Sequence, residues 1–353
     1  MPTLTPKQVT DVCAAIFEAA GAPEDRAQIV AEHLTRANLC GHDSHGIQNV
    51  PALISLIKEG MIKPQGEWNV VRETPSTALI DGGLGLGQVV CQGAIKVAMN
   101  KARTVGSGSV GVYNCTHIGR LGDYTTTIAE GGMIGVIYAN SMPGVAPYGG
   151  RTRVLGTNPL SYAFPTGDGD PILVDFATSV VAAGKVRAAQ HRGEKIPEGW
   201  VLDKDGKPTT DPSDLFLRAS EPNSAGVLLP AAGHKGYSLA VVVDLLGGAL
   251  TGSGSSKKVA KARNGVFVQA FNIESFVPME VYLQNLKGLV AEVKNASVAD
   301  GFDEILVPGE PELRSKQKRL ADGIPIPDFA WQEVIKTAKD FGLDLDTILS
   351  LPK

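Results

Sequence analysis

Six histidines are spread along the 353 residues, and four of them stand beside glycine at the ends of apolar runs. His42 and His45 fall in "GHDSHGI", Gly41–Ile47, His117 in "NCTHIGRLG" and His234 in "AAGHKGYS". Glycine lets a ligand approach the backbone closely, and loop ends on a rigid scaffold are where reactive groups are held. An imidazole acting as acid or base needs a pKa near the working pH and one neighbour to orient it. For His45 that neighbour is Ser44 or Asp43. A metal would instead gather His42, Asp43, His45 and His117, yet no HExxH spacing puts two ligands on one helical face. A serine nucleophile would want a GxSxG elbow, which the chain lacks. Each site taken alone reads equally as a polar turn; three with similar glycine settings favour chemistry. His42 reads as structural, and so do His33, inside a helical run, and His191, in the charged loop "QHRGEK".

Other polar stretches suit a nucleotide. Asp175 closes the apolar "PILVDFATS", and Thr178 and Ser179 after it open a pocket for a ribose or phosphate, or cap a helix. Lys235 starts a helix, where its charge opposes the dipole; an anion such as a pyrophosphate sharing that N-terminus would explain it. "ILVPGEPE" offers a strand-to-loop corner with Glu310 and Glu312 available for hydroxyls. The glycines of "DGGLGLGQ" run G-x-G-x-G, with no acidic residue about 20 positions on, so the stretch predicts a tight turn. "TGSGSSKK" lacks P-loop spacing and reads as a mobile surface loop. A dinucleotide bound here binds without the standard fingerprint.

These residues need elements to hold them. Thr5-Pro6 caps a first helix, with Val9, Val12, Cys13, Ile16 and Phe17 at helical spacing until Gly21. A second runs from Pro23, with Glu24 and Asp25 suiting its dipole, to Gly41. A third carries Val50 to Ile57 and stops at Gly60, so "GHDSHGI" is a helix-to-helix junction. After Pro64, strands ("STALIDG", "SVGVYNC", "MIGVIYANS", "PILVDFATS", "GVLLP", "NGVFVQAFNI") alternate with helices ("GQVVCQGAIKVAMNKARTVG", "DYTTTIAEGG", "HKGYSLAVVVDLLGGAL", "VYLQNLKGLVAEVKN"). "LGTNPLSYAFP" reads as a polar loop. The tail "PDFAWQEVIKTAKDFG" returns to amphipathic helix. The pattern predicts an α/β fold: a helical domain over 1–66 with 326–353, packed against an α/β body over 67–325.

Composition narrows the function. With 43% hydrophobic residues, 20% charged residues and a net charge of −4, the chain reads as an ordinary globular protein. It has no basic footprint for nucleic acid or an anionic membrane. No apolar run reaches the roughly 18 residues a membrane helix needs, and no signal-peptide pattern opens the chain. Cys13, Cys40, Cys91 and Cys115 form no CxxC pair and read as reduced, mostly buried thiols. A cytoplasmic location is expected.

"GHDSHGI", "HIGRLG", "LGTNPL", "VDFATSVVAAGK", "IPEGWVLDKDGKPTTDP", "GHKGYSLAVVVDLLGGALTG" and "LVPGEPE" resemble, in order and spacing, the type-2 malate/L-lactate dehydrogenase family. That family also includes sulfolactate and ureidoglycolate dehydrogenases, and the hydroxycarboxylate dehydrogenase branch resembles this chain most. The resemblance runs from about residue 5 to 345. It implies a nicotinamide-dependent oxidoreductase interconverting 2-hydroxy and 2-keto acids, a non-Rossmann cofactor domain with a mixed central sheet, and a homodimer with its cleft near the interface. NAD is the expected cofactor, with NADP the other option. Carried across, Ser44 and His45 match the family's catalytic SHG, and His117 matches a second active-site histidine. Ser141, Asp175, Phe176, Ala177, Thr178, Ser179, His234, Lys235, Asn272, Gly309, Glu310, Pro311 and Glu312 match cofactor contacts, to which His45 and His117 also belong. His45 and His117 both remain candidates for the acid–base group.

One position departs from the family. Many members carry Arg three residues after the SHG histidine, suited to a bidentate grip on a carboxylate; here it is Gln48. Arg120, near His117, is the candidate to supply that cation. The departure keeps a second enzyme reading open, NADPH-dependent reduction of a cyclic imino acid such as a piperideine- or pyrroline-carboxylate. Two readings of other classes are a metal-dependent lyase or hydrolase and a non-catalytic binding protein on the same fold.

Overall fold

The computed structural model describes residues 1–216 and 225–350. A short strand, β1 (Thr3–Leu4), leads into α1 (Pro6–Ala19). The Thr5 hydroxyl accepts the Gln8 amide at 3.2 Å and Gln8 Oε1 accepts the Thr5 amide at 2.9 Å, a complete capping box with Pro6 in the first turn. After α2 (Glu24–Leu39) come two single 3-10 turns, Asp43–His45 and Ile47–Asn49, and then α3 (Val50–Lys58). The body follows as β2 (Asn69–Glu73), β3 (Thr77–Asp81), α4 (Gly87–Val105), β4 (Ser107–Thr116), α5 (Leu121–Glu130), β5 (Met133–Ala139), β6 (Leu160–Phe164), β7 (Ile172–Phe176) and α6 (Ala183–Arg192). Three two-residue strands, β8 (Val201–Leu202), β9 (Pro208–Thr209) and β10 (Val227–Leu228), make a side sheet. Next are α7 (His234–Val243), β11 (Arg263–Asn272), α8 (Met279–Asn295), α9 (Glu310–Asp322), β12 (Ile324–Pro325), α10 (Asp328–Lys339) and α11 (Leu345–Leu349).

The main sheet has seven strands in the order β2-β3-β4-β11-β5-β6-β7. Only β3 and β4 pair in parallel, joined by the α4 crossover; every other pair is antiparallel. The mixed α/β sheet agrees with the expected fold class. β11 enters from late in the chain and separates β4 from β5. β4 and β11 are therefore covered on both sides, and their Val110, Val112, Val266 and Val268 pack against Ile95, Tyr124 and Ile137.

A second core joins both chain ends: Val12, Phe17, Leu34 and Ile54 meet Ile324, Val334 and Ala338. Fully buried side chains of this size each contribute roughly 1.5–3 kcal/mol, enough to tie α10 to the N-terminal helices. A third core, with Val186, Val201, Leu228 and Ala240, packs α6, the side sheet and α7 together.

Several elements differ from the sequence reading. β6 forms where "LGTNPLSYAFP" reads as a loop; its Ser161 and Ala163 are buried between β5 and β7. β2, exposed along its whole length, is an edge strand with no apolar face to announce it. α6 holds His191, expected in a loop, in its last turn, with the ring stacked 4.8 Å from Phe329. α9 follows directly on the expected Gly309 corner; it buries no side chain, so it carries no apolar stripe. Its Gly-Glu-Pro-Glu start is the N-terminal signal that could have found it. "TGSGSSKK" is not a free loop, because Asn140 Nδ2 donates to Gly254 O at 2.8 Å and the Ser256 amide donates to Asp244 Oδ2 at 3.0 Å. Asp244 belongs to a π-helical turn, Asp244–Ala249, that widens the end of α7. Among the described residues no helix is long and apolar enough to cross a membrane.

Candidate active site

The turn after α2 is built around one buried amide. Asn38 Oδ1 accepts the Ile47 amide at 2.8 Å and its Nδ2 donates to Asp43 Oδ1 at 2.7 Å. A Cβ on Gly46 would stand 2.1 Å from Asn38 Oδ1, so only glycine lets the turn close over it. Arg319 of α9 grips the Asp43 carboxylate with Nη1 at 2.5 Å and Nη2 at 3.0 Å. Asp43 is thereby committed elsewhere, and Ser44 is left to orient His45, its Oγ 3.2 Å from His45 Nδ1. His42 Nε2 lies 3.4 Å from Glu312 Oε1.

The second wall is the loop between β4 and α5. It stacks the His117 ring on that of His45, with centroids 5.8 Å apart and planes 20° from parallel. The Gly119 amide donates to His117 Nδ1 at 3.1 Å, which assigns the neutral His117 proton to Nε2. Burial pushes both imidazoles down. His45 falls to about 3, with the positive charges of His117, His42, His33 and Arg120 adding to burial. His117 falls to about 4, with His33 adding. Two neutral imidazoles therefore face one another at neutral pH.

Arg120 folds beside the start of α5 and is 5% exposed. Its Nε lies 3.4 Å from Asp175 Oδ2, which also accepts the Gly122 amide at 2.8 Å. Burial pushes the Asp175 carboxyl up against the pull of Arg120. Among the described residues Arg120 Nε and Nη2, buried beside Asp175, have no hydrogen-bond acceptor. Buried N–H groups without an acceptor are costly, and the Asp175 carboxylate beside them offsets part of that cost.

One cleft collects His42, His45, Arg120, Asp175, Phe176, Ala177, Ser179 and Glu312, together with Thr157 and Lys185, two residues that sequence reasoning did not assign. Lys185 gave a faint signal, as the only cation in "VDFATSVVAAGK". Thr178 is buried and its hydroxyl hydrogen-bonds Thr157 O and Asn158 O, so it braces the cleft instead of capping a helix. Ser141 is tied to the same hub, its amide donating to Asn158 Oδ1 at 3.1 Å. His234 and Lys235 start α7, whose N-cap, Gly233, provides no side-chain cap. Gln48 is half-buried on the second 3-10 turn, outside the cleft wall.

Several expected contacts lie outside the cleft lining, among them His117, Ser141, His234, Lys235, Glu310 and Asn272. Glu310 is not free for a hydroxyl: it accepts the Val307 amide at 2.9 Å and pairs with Lys294, while Gly309 and Pro311 shape the start of α9. Asn272 ends β11 opposite Met133, whereas the strand's other end, Arg263, lies opposite Thr116 beside His117. Ten residues of strand, about 30 Å, separate Asn272 from the histidines. Among the described residues no group of three or more His, Cys, Asp or Glu side chains is arranged to hold a metal ion.

The neutral pair has a consequence for stability. In the unfolded chain both histidines take up protons near pH 6.5, whereas the folded values are about 3 and about 4. The unfolded state binds more protons between these limits, so stability falls as pH drops through that window. Each histidine costs on the order of 1 kcal/mol per pH unit there. Thermal melts from pH 7 to 4.5 are expected to show a His45→Gln/His117→Gln variant losing stability less steeply than wild type; parallel slopes would contradict the buried neutral pair.

The malate/L-lactate dehydrogenase family model matches residues 4–335. The chain is 38% identical to an L-sulfolactate dehydrogenase of Methanocaldococcus jannaschii over 97% of its own length and 98% of that protein's. It is 40% identical to a malate dehydrogenase of Pyrococcus abyssi, over 92% and 90%. In structure it is similar to malate dehydrogenase from Entamoeba histolytica, with a TM-score of 0.92, 29% identity, and coverage of 97% and 99%.

Proposed function

The chain belongs to the malate/L-lactate dehydrogenase family, and from that premise we propose that it interconverts a 2-hydroxycarboxylate and a 2-ketocarboxylate with a nicotinamide cofactor, His45 carrying the proton. The observation that carries the site assignment is the stacked pair of His45 and His117, with His45 sharing a cleft with the buried Arg120 guanidinium.

The residues suit a nicotinamide dinucleotide. The first turn of α7 has no side-chain cap and carries exposed Lys235, a donor set fitted to a pyrophosphate. Ser179 and Glu312 on the cleft wall suit ribose hydroxyls. A bound nicotinamide supplies the hydride in reduction and takes it in oxidation. Arg120, with its Nε turned to Asp175, holds the substrate carboxylate with the rest of its guanidinium, in the place of the Arg that Gln48 replaces. His45 takes the hydroxyl proton in oxidation and returns it in reduction. His117, with its proton on Nε2, donates to the substrate oxygen. Asp175 orients Arg120 and holds the first turn of α5.

Hydrogen bonding ranks the two histidines. Ser44 can donate or accept, so His45 is able to gain or lose a proton without breaking a contact. His117 cannot, because a proton on Nδ1 would face the Gly119 N–H. The two-domain division, the cytoplasmic location and a homodimer complete the proposal. For the dimer, Leu239, Val242, Leu245 and Leu250 leave an apolar row exposed along α7 and its π turn.

The test is a fluorescence titration with NADH and NADPH, followed by a panel of 2-keto acids and cyclic imines read at 340 nm. Binding of one cofactor with ketoacid-dependent oxidation, insensitive to chelator, is the expected result. Size-exclusion chromatography of the same preparation should give twice the 37.0 kDa chain mass. Cofactor binding without turnover of any 2-keto acid would overturn the proposal, and cyclic imines outpacing keto acids would redirect it to imine reduction.

A further inference from the structure

A third buried histidine is tied into the cleft from behind. His33, in the second half of α2, is 1% exposed, and both of its ring nitrogens have partners. Nδ1 lies 2.8 Å from Asp123 Oδ2, and Nε2 lies 3.0 Å from the backbone nitrogen of Arg120. An amide can only donate, so Nε2 is the unprotonated nitrogen and Nδ1–H donates to Asp123. Arg36 in turn holds the Asp123 carboxylate, with Nε at 2.6 Å and Nη2 at 3.0 Å. The His33 ring stacks on Tyr124, with centroids 5.1 Å apart, and the Tyr124 hydroxyl donates to Ile118 O.

The loop held in this way carries His117 and Arg120. Three more of its amides are also matched: Ile118 to Asn264 Oδ1, Gly119 to His117 Nδ1, and Gly122 to Asp175 Oδ2. His33 fixes the backbone of the residue that bears the guanidinium, while Asp175 faces its side chain. Gly119 leaves room for it, since a Cβ there would stand 2.1 Å from His33 Nε2 and its φ is +76°. A His33 that served packing alone would need no acceptor aimed at the Arg120 amide.

We propose that His33 is a positioning residue for the reaction: by accepting the Arg120 amide it fixes the 117–122 loop, and with it the Arg120 guanidinium and the His117 ring, in their working places. The proposal rests on reading the cleft as a 2-ketoacid site. Asp123 and Arg36 support it by holding the His33 ring in one orientation and one tautomer.

Two substitutions separate positioning from packing. In His33→Gln the side-chain oxygen reaches the place of Nε2 and still accepts the Arg120 amide. In His33→Asn the amide group mimics Nδ1, keeps the Asp123 contact and leaves the Arg120 amide unmatched. Both lose the ring, so both are expected to lower the melting temperature alike. His33→Asn is expected to raise KM for the 2-keto acid about tenfold or more and to lower kcat, with cofactor affinity unchanged. Small displacements of aligned groups have effects of this order. His33→Gln is expected to stay within about threefold of wild type. Equal KM values in the two variants, or losses that follow melting temperature alone, overturn the proposal. Long-range ¹H–¹⁵N correlation of wild-type histidines tests it without any variant: His33 is expected as the Nδ1–H tautomer, and an Nε2–H tautomer overturns it. Wild-type protein that turns over no 2-keto acid fails the functional reading as well, whereas active wild type with matched variants fails His33 alone.

Discussion

His45→Asn is expected to lower kcat in both directions by about 10²–10⁴-fold, the usual worth of a positioned general acid–base group, with cofactor affinity unchanged. The expectation comes from which ring can change its protonation. Ser44 Oγ, 3.2 Å from His45 Nδ1, suits either state of the ring, whereas His117 Nδ1 accepts a backbone amide at 3.1 Å and is held to the Nε2–H form. His117→Asn removes a hydrogen-bond donor to the substrate oxygen and is expected to cost about tenfold. Steady-state kinetics of the two variants, with NADH and NADPH titrations as controls, checks the ranking. A His117→Asn variant that loses about 10²-fold while His45→Asn keeps near-normal turnover would reverse it.

The second large effect is expected at Arg120. Arg120→Met should raise KM for the 2-keto acid about 100-fold, because a charge-assisted bond to a carboxylate contributes on the order of 1.5–3 kcal/mol. Arg120→Lys should recover little of it. A lysine offers a point charge, whereas the guanidinium is a planar fork that Asp175 holds in place. Losing the guanidinium also removes the charge that opposes burial of Asp175, so Arg120→Met/Asp175→Asn separates the two effects. If the double variant matches Arg120→Met in KM, the loss belongs to the carboxylate contact. An Arg120→Met enzyme with unchanged KM would mean that the substrate carboxylate is held by another group, with Lys185 on the same wall the next to test.

Much of the architecture was legible because local chemistry repeats along it. The capping box at Thr5 and the apolar spacing of Val9, Val12, Ile16 and Phe17 marked α1, and the valine-rich runs marked β4, β5 and β11. α9 and β2 leave no apolar stripe, since neither buries a side chain, and only the Gly-Glu-Pro-Glu start marks α9. β6 was hidden by small and polar residues that become buried only between two neighbouring strands. Asn272, expected from the resemblance as a cofactor contact, stands at the end of β11 opposite the one beside the histidines.

The sequence by itself determined the residue types of the site and the local turns that present them: histidines beside glycine, an SHG turn after a helix, the Arg120 guanidinium directly after Gly119 in "HIGRLG", and Gln48 where a cation is usual. Only the tertiary structure decided how those groups act. Asp43 faces Arg319, 276 positions away, and so leaves His45 to Ser44. The Arg120 amide meets His33 across 87 positions. A hydrogen bond between distant residues leaves no periodic trace in sequence, yet it fixes the tautomers on which the proposed base, donor and anchor rest.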